Sequence, residues 1–165
     1  MPNQFVVATS DASSNILAST ISDLLRDARA LLEMDIVFVS EFVEGQRVIR
    51  WLDKAADADE TIKEGQTNPL EETYCQRVVD GRLPLAIPDA HLLPEAKNLD
   101  VTKTLKIRTY LAAPIILSDG RLFGTLCCIC HRPRTALGNR QIDALRIIAE
   151  RVAVELQKHL AVPRQ

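Results

Sequence analysis

The stretch TYLAAPIILSDGRLFGTLCCIC, Thr109 to Cys130, reads as two strands and the turn between them. Asp119-Gly120 is the strongest turn signal in the chain, and apolar runs flank it from Leu111 to Leu117 and from Arg121 to Cys130, which predicts an antiparallel hairpin. Apolar residues occupy both faces of Leu122 to Ile129, so this strand is expected in the middle of a sheet with a covering layer on each side.

The segments around the hairpin supply those layers. Downstream, Ile142, Leu145, Ala149, Val152 and Leu156 recur at steps of three and four, predicting a helix from about Gly138 to Leu160. Ile147, Val154 and Ala161 lie at intervals of seven on the opposite side of that helix, where a partner helix would cover them. Upstream, Pro84 to Pro88 encloses a short edge strand, and Asp89 to Lys106 is a long connection with at most short helices. Asn68-Pro69 followed by Glu71 and Glu72 predicts a helix start, with Asn68 as cap and Gly81 closing the helix. Leu70, Tyr74, Cys75, Val78 and Val79 would share its inner face. Asp53 to Thr67 reads as a loop with one helical turn near Ala55 to Glu60. Ile36 to Val43 and Gln46 to Leu52 form another predicted hairpin around Glu44-Gly45. Before it, Leu17, Ile21, Leu24, Ala28 and Leu31, widened by Leu25 and Leu32, make a long amphipathic helix from Ser13 or Ser14 to Glu33.

Composition excludes several functions. The chain has 165 residues with 20 Lys and Arg against 22 Asp and Glu, interspersed in sign, so no basic surface for nucleic acid is expected. At this length roughly 70% of the unfolded surface is removed from water, enough for a core without disulfides or metal. The longest apolar run falls far short of the roughly 20 residues that span a bilayer, and no secretory signal precedes the first helix, which makes the cytoplasm the expected location.

The residues that carry chemistry form no familiar catalytic set. Period two sends Cys128 and Cys130 to one face and Cys127 and His131 to the other, so four ligands cannot converge on a metal and the thiols are expected to be reduced and buried. Cys75 faces inward on its helix, either as a small buried residue or as a reactive thiol. Glu71 and Glu72 diverge by about 100° and fit helix capping better than acid and base roles. His91, His131 and His159 have no adjacent nucleophile motif and read as surface histidines.

The order of elements resembles a GAF domain. So do the strings MDIVFVSEFVEGQRVIRWLD (Met34 to Asp53), PLEETYCQRVVDGRLPLAIPDA (Pro69 to Ala90), TYLAAPIILSDGRLFGTLCCIC and the final amphipathic helix. The resemblance covers about Ser14 to Leu160 and is similar to modules of bacterial signalling proteins that are linked to kinase, diguanylate cyclase or phosphodiesterase domains. It implies an α+β fold: a central antiparallel sheet of about six strands, with long N- and C-terminal helices on one face and a helix plus loop covering a ligand pocket on the other. It divides the chain into a flexible start over 1–12, a single domain over 13–161 and a tail over 162–165.

The same resemblance places Trp51, Tyr74, Cys75, Asp89, Arg108 and Tyr110 near the ligand, with core packing as the rival role for Trp51, Tyr74 and Tyr110. Bilin-carrying members of the family attach the chromophore to a cysteine followed by histidine on a helix, whereas Cys75 precedes Gln76. The motif of cyclic-nucleotide-binding members is not recognisable, and the loop cysteines of free methionine sulfoxide reductases are absent. Relatives of IRTYLAAP carry Gly where Arg108 stands; a cation there either fills part of the pocket or pairs with an anionic ligand. The expectation is therefore a cytoplasmic, non-enzymatic sensory domain with an unidentified small-molecule ligand, homodimeric through Ile147, Val154 and Ala161, without nucleic-acid or membrane partners. The alternative is a thiol-dependent reductase using Cys75. The cofactor is left unknown.

Overall fold

Two hairpins of β-branched and apolar residues make the centre of the molecule. The computed structural model describes residues 11–58 and 61–159. The first hairpin pairs β1 (Ile36–Val43) with β2 (Gln46–Lys54) through Glu44 and Gly45, whose positive φ values of 49° and 78° suit the right-handed twist of the strands. β3 (Thr67–Pro69) extends the sheet beside β2, and β4 (Ala86–Ile87) lies beside β5 (Thr109–Ile116), which is paired in turn with β6 (Leu122–Cys130). The order is β3-β2-β1-β6-β5-β4, antiparallel throughout, so β1 and β6 are central as the apolar run of Leu122 to Ile129 requires.

Gly124 lets the two central strands meet. A Cβ at this position would lie 1.9 Å from the Ser40 carbonyl oxygen, closer than any side chain can approach a neighbouring backbone.

Two long helices cover one face. α1 (Asp11–Leu32) buries Leu17, Ile21, Leu25, Ala28 and Leu32, and α5 (Asn139–His159) buries Leu145, Ala149, Val152, Ala153 and Leu156. They pack on Val37, Val39, Leu111, Ala113, Leu126 and Cys128. Leu31 was expected in the α1 stripe but is exposed: it sits about 80° from the centre of the buried row, and Leu32 takes the inward position. Ile147 and Val154 are exposed as the heptad spacing requires, at 62% and 51%. Ala161 lies outside the described residues, as do residues 1–10 of the expected flexible start and the whole tail; Asp11 already belongs to α1.

The other face is covered by short pieces: α2 (Tyr74–Val79), α3 (Pro94–Lys97), α4 (Asp100–Thr104) and two 3-10 turns, Leu70–Glu72 and Ala90–Leu92. The helix expected from Pro69 starts later. Asn68 and Pro69 belong to β3, where an edge position tolerates proline, and the 3-10 turn carrying Glu71 and Glu72 intervenes. Thr73 is the true cap, its hydroxyl accepting from the Gln76 N–H and donating to the Leu70 carbonyl. Cys75 therefore falls in the first turn of α2.

Candidate functional site

Trp51, Tyr74, Cys75, Asp89, Arg108 and Tyr110 do not form one site. Tyr74, Cys75 and Tyr110 come together, Asp89 and Arg108 form a separate pair, and Trp51 is on the other face of the sheet. The cause is a bulge: Val39 pairs with Trp51 and Ser40 with Ile49, leaving Arg50 as an extra residue in β2. One inserted residue reverses the alternation, so Ile49 points under α2 while Trp51 packs with the α1 and α5 core. Its expected place near a cavity is thereby corrected, and core packing is its role.

Tyr74 and Tyr110 are buried ring against ring, with centroids 4.7 Å apart at 55°. The Thr102 hydroxyl donates to the Ala96 carbonyl, so the Tyr74 phenol donates its own proton to Thr102 and ties α2 to α3 and α4. Burial pushes the Tyr74 phenol up to about 12. Beneath α2 a second set of polar groups is closed to water. Cys75 Sγ lies 3.6 Å from Cys127 Sγ and 3.7 Å from the Tyr110 hydroxyl. Cys127 reaches Tyr110 at 3.1 Å and Thr125 at 3.0 Å, and Thr125 reaches Ser40 at 2.8 Å.

Burial, then the Cys75 sulfur, pushes the Cys127 thiol well above its ordinary value, and burial does the same to the Tyr110 phenol. Cys75 is shifted the other way. Burial opposes it, while the hydrogen bond from Cys127, the charge of Arg47 and the Thr125 and Tyr110 hydroxyls hold its pKa well below the ordinary thiol value. All four cysteines are free and fully buried, so no thiol is presented to a substrate in this conformation. Among the described residues no three His, Cys, Asp or Glu side chains cluster to hold a metal.

Asp89 and Arg108 satisfy each other through two hydrogen bonds of 2.9 Å, from Nε and Nη2 to the two carboxylate oxygens. Arg108 therefore neither fills the cleft described below nor waits for an anion. Its hydrogen bond holds the Asp89 carboxyl down at about 2, and Asp89 also caps the turn at Ala90–Leu92 by accepting from the His91 N–H.

The open site lies elsewhere on the same face. A cleft of about 390 Å³ runs between β2 and β3, the 3-10 turn before α2, and α4, within the range of roughly 300–1,000 Å³ common for small-molecule sites. None of the six expected residues lines it. Its walls include Arg47, Asn68, Glu72, Arg77, Asp100 and Thr104. Arg47 is 4% exposed, lies 5.6 Å over the Phe38 ring and donates from Nη2 to Asn68 Oδ1 at 2.6 Å. Its buried Nε has no hydrogen-bond partner, and among the described residues no carboxylate lies within ion-pair distance of it. Arg77, in contrast, is occupied: Nε donates to Glu95 at 3.1 Å, and Nη1 holds the Glu71 and Thr73 carbonyls.

Arg47 was legible in principle. It lies two residues before Ile49, on the strand side that precedes the bulge, and an arginine alternating with core residues is a charge aimed inward.

Comparison with known proteins agrees with this architecture. A family model described as GAF domain matches residues 17–156. The cyclic di-GMP phosphodiesterase PA2567 of Pseudomonas aeruginosa strain PAO1 is 29% identical over 89 residues, covering 53% of this chain and 15% of that protein's length. The blue-light absorbing form of the Thermosynechococcus elongatus PixJ GAF domain superposes with a TM-score of 0.71 at 20% identity, over 92% of this chain and 90% of that one. A phycocyanobilin-bound GAF domain from a cyanobacterial phytochrome gives 0.70 at 15% identity, over 87% and 85%. These likenesses agree with the observed fold, and with the family match over most of its length the chain belongs to the GAF domain family.

Proposed function

We propose that this chain is a non-enzymatic sensory module of a cytoplasmic signalling protein, which receives a small molecule in the cleft between β2, β3 and α4. The observation that carries the reading is Arg47: a buried cation on the wall of an open cleft, with an unpartnered Nε and no paired carboxylate among the described residues, is an unfinished interaction in the protein alone. The similarity to a cyclic di-GMP phosphodiesterase supports a signalling setting; the phosphodiesterase activity belongs to that much longer protein. The similarity to a phycocyanobilin-bound GAF domain supports a small-molecule ligand, although Cys75, buried and followed by Gln76, is not offered here for attachment. Among the described residues no helix is long and apolar enough to cross a membrane.

Output passes through α5, which packs on β5 and α1 while keeping Ile147 and Val154 outward for a second copy of the chain. Native mass spectrometry of protein purified from cells tests the ligand: a stoichiometric small-molecule adduct, released on unfolding, is expected. A protein that carries none, and gains thermal stability from no metabolite in a broad screen, sinks the sensory reading. Sedimentation at micromolar concentration tests the dimer separately.

A further inference from the structure

We infer that the cleft recognises a small amino-acid-like zwitterion, its carboxylate on Arg47 and its ammonium group toward Glu72 and Asp100. The inference rests on the reading of this cleft as the ligand site and adds the chemistry of the ligand. Arg47 supplies the negative end's partner. Asn68 takes one Nη2 proton and the Nε–H has no partner, so the guanidinium keeps donor capacity for a carboxylate. The Phe38 ring, with its centroid 5.6 Å from the guanidinium carbon, adds a cation–π contact.

The outer wall has the opposite character. Glu72 and Asp100 are exposed, line the cleft and make no ion pair among the described residues, while the other cation of the wall, Arg77, is bound to Glu95. Positive charge inside and two unpartnered carboxylates outside disfavour a polyanion such as a nucleotide, which would bring several negative charges past Glu72 and Asp100. They also disfavour a simple cation, which would face Arg47. A molecule with a carboxylate at one end and an amine at the other meets both walls. At about 390 Å³ the cleft suits a free amino acid or a short peptide end.

The test is a thermal-shift and calorimetric screen of the full chain against the twenty common amino acids and a set of dipeptides. Every binder is then compared with its carboxamide, which lacks the anion, and its N-acetyl form, which lacks the cation. At least one zwitterion is expected to bind, with affinity falling about tenfold or more for the carboxamide and less for the acetylated form. Arg47→Gln should abolish binding and melt no lower than the parent, because it removes a buried unpaired charge. Glu72→Gln with Asp100→Asn should erase the preference for the free amine while keeping the carboxylate requirement. No binder in the screen, a binder indifferent to amidation, or full affinity in Arg47→Gln overturns the inference. A neutral or purely apolar adduct in the native mass spectrum would overturn it too while leaving the sensory reading standing, which separates the two failures.

Discussion

On one side of the sheet lie helices of 22 and 21 residues; on the other the longest helix has six. The long helices bury a continuous apolar row against the sheet. Over α2 the layer is assembled from turns that could not persist alone, joined by Tyr74 to Thr102, Arg77 to Glu95 and the Cys75 set. Apolar burial supplies most of the free energy of folding, whereas an internal hydrogen bond contributes about 1 kcal/mol net and chiefly fixes geometry. The division therefore lets one face hold the fold while the other keeps a cleft and a buried charge.

Substitutions can break that comparison in order of expected size. Gly124→Ala strikes the β1–β6 seam common to both faces and should cost more than about 4 kcal/mol or prevent folding, visible as lost circular dichroism. Leu145→Ala on the helical face should cost about 3 kcal/mol in denaturant melts, since Leu145 is fully buried and its neighbours belong to long rigid helices. Tyr74→Phe on the cleft face should cost only about 1 kcal/mol, because Thr102 keeps its bond to Ala96, yet hydrogen exchange across Asp100–Thr104 should accelerate. Equal costs for these last two would remove the asymmetry between faces.

Asp89 gives a pH test confined to the cleft face. Its folded pKa of about 2 lies below the ordinary 3.8, so its contribution is complete above the ordinary value and is lost as pH falls toward 2. Asp89→Asn should flatten the stability profile in that window and leave its shape at higher pH unchanged. The smallest effect on stability is expected from Ile147→Glu with Val154→Glu, within about 0.5 kcal/mol for the monomer since both side chains are exposed. The double variant should nevertheless sediment as a lighter species than the parent.

Elements whose own residues repeat a pattern were readable in advance. The two hairpins, the α1 and α5 rows and the edge position of Ala86–Ile87 follow from alternation, helical spacing and turn chemistry. β3 escaped because three residues with an asparagine and a proline carry no pattern, and only pairing with β2 makes them a strand. The start of α2 was misplaced for a related reason: Asn68-Pro69 has the chemistry of a helix start, but Thr73 provides the cap once β3 has claimed the earlier residues. Of the site, the burial of Tyr74, Cys75 and Tyr110 was legible. The cleft was not, since Arg47 meets Asn68, Glu72 and Asp100 only after β3 and α4 are in place.

The extra residue at Arg50 also bears on how this sequence tolerates insertions and deletions. Absorbing Arg50 into a regular ladder at the present length would turn Trp51 toward α2 and exchange inward and outward side chains along the rest of the strand, whereas deleting Arg50 would leave Ile49 and Trp51 as neighbours on the opposite faces they already occupy. The same loss after Lys54, where the chain leaves the ladder, would shorten a connection without altering which way any strand residue points. Length variation compatible with this architecture should therefore collect at the unpaired Arg50 and between β2 and β3.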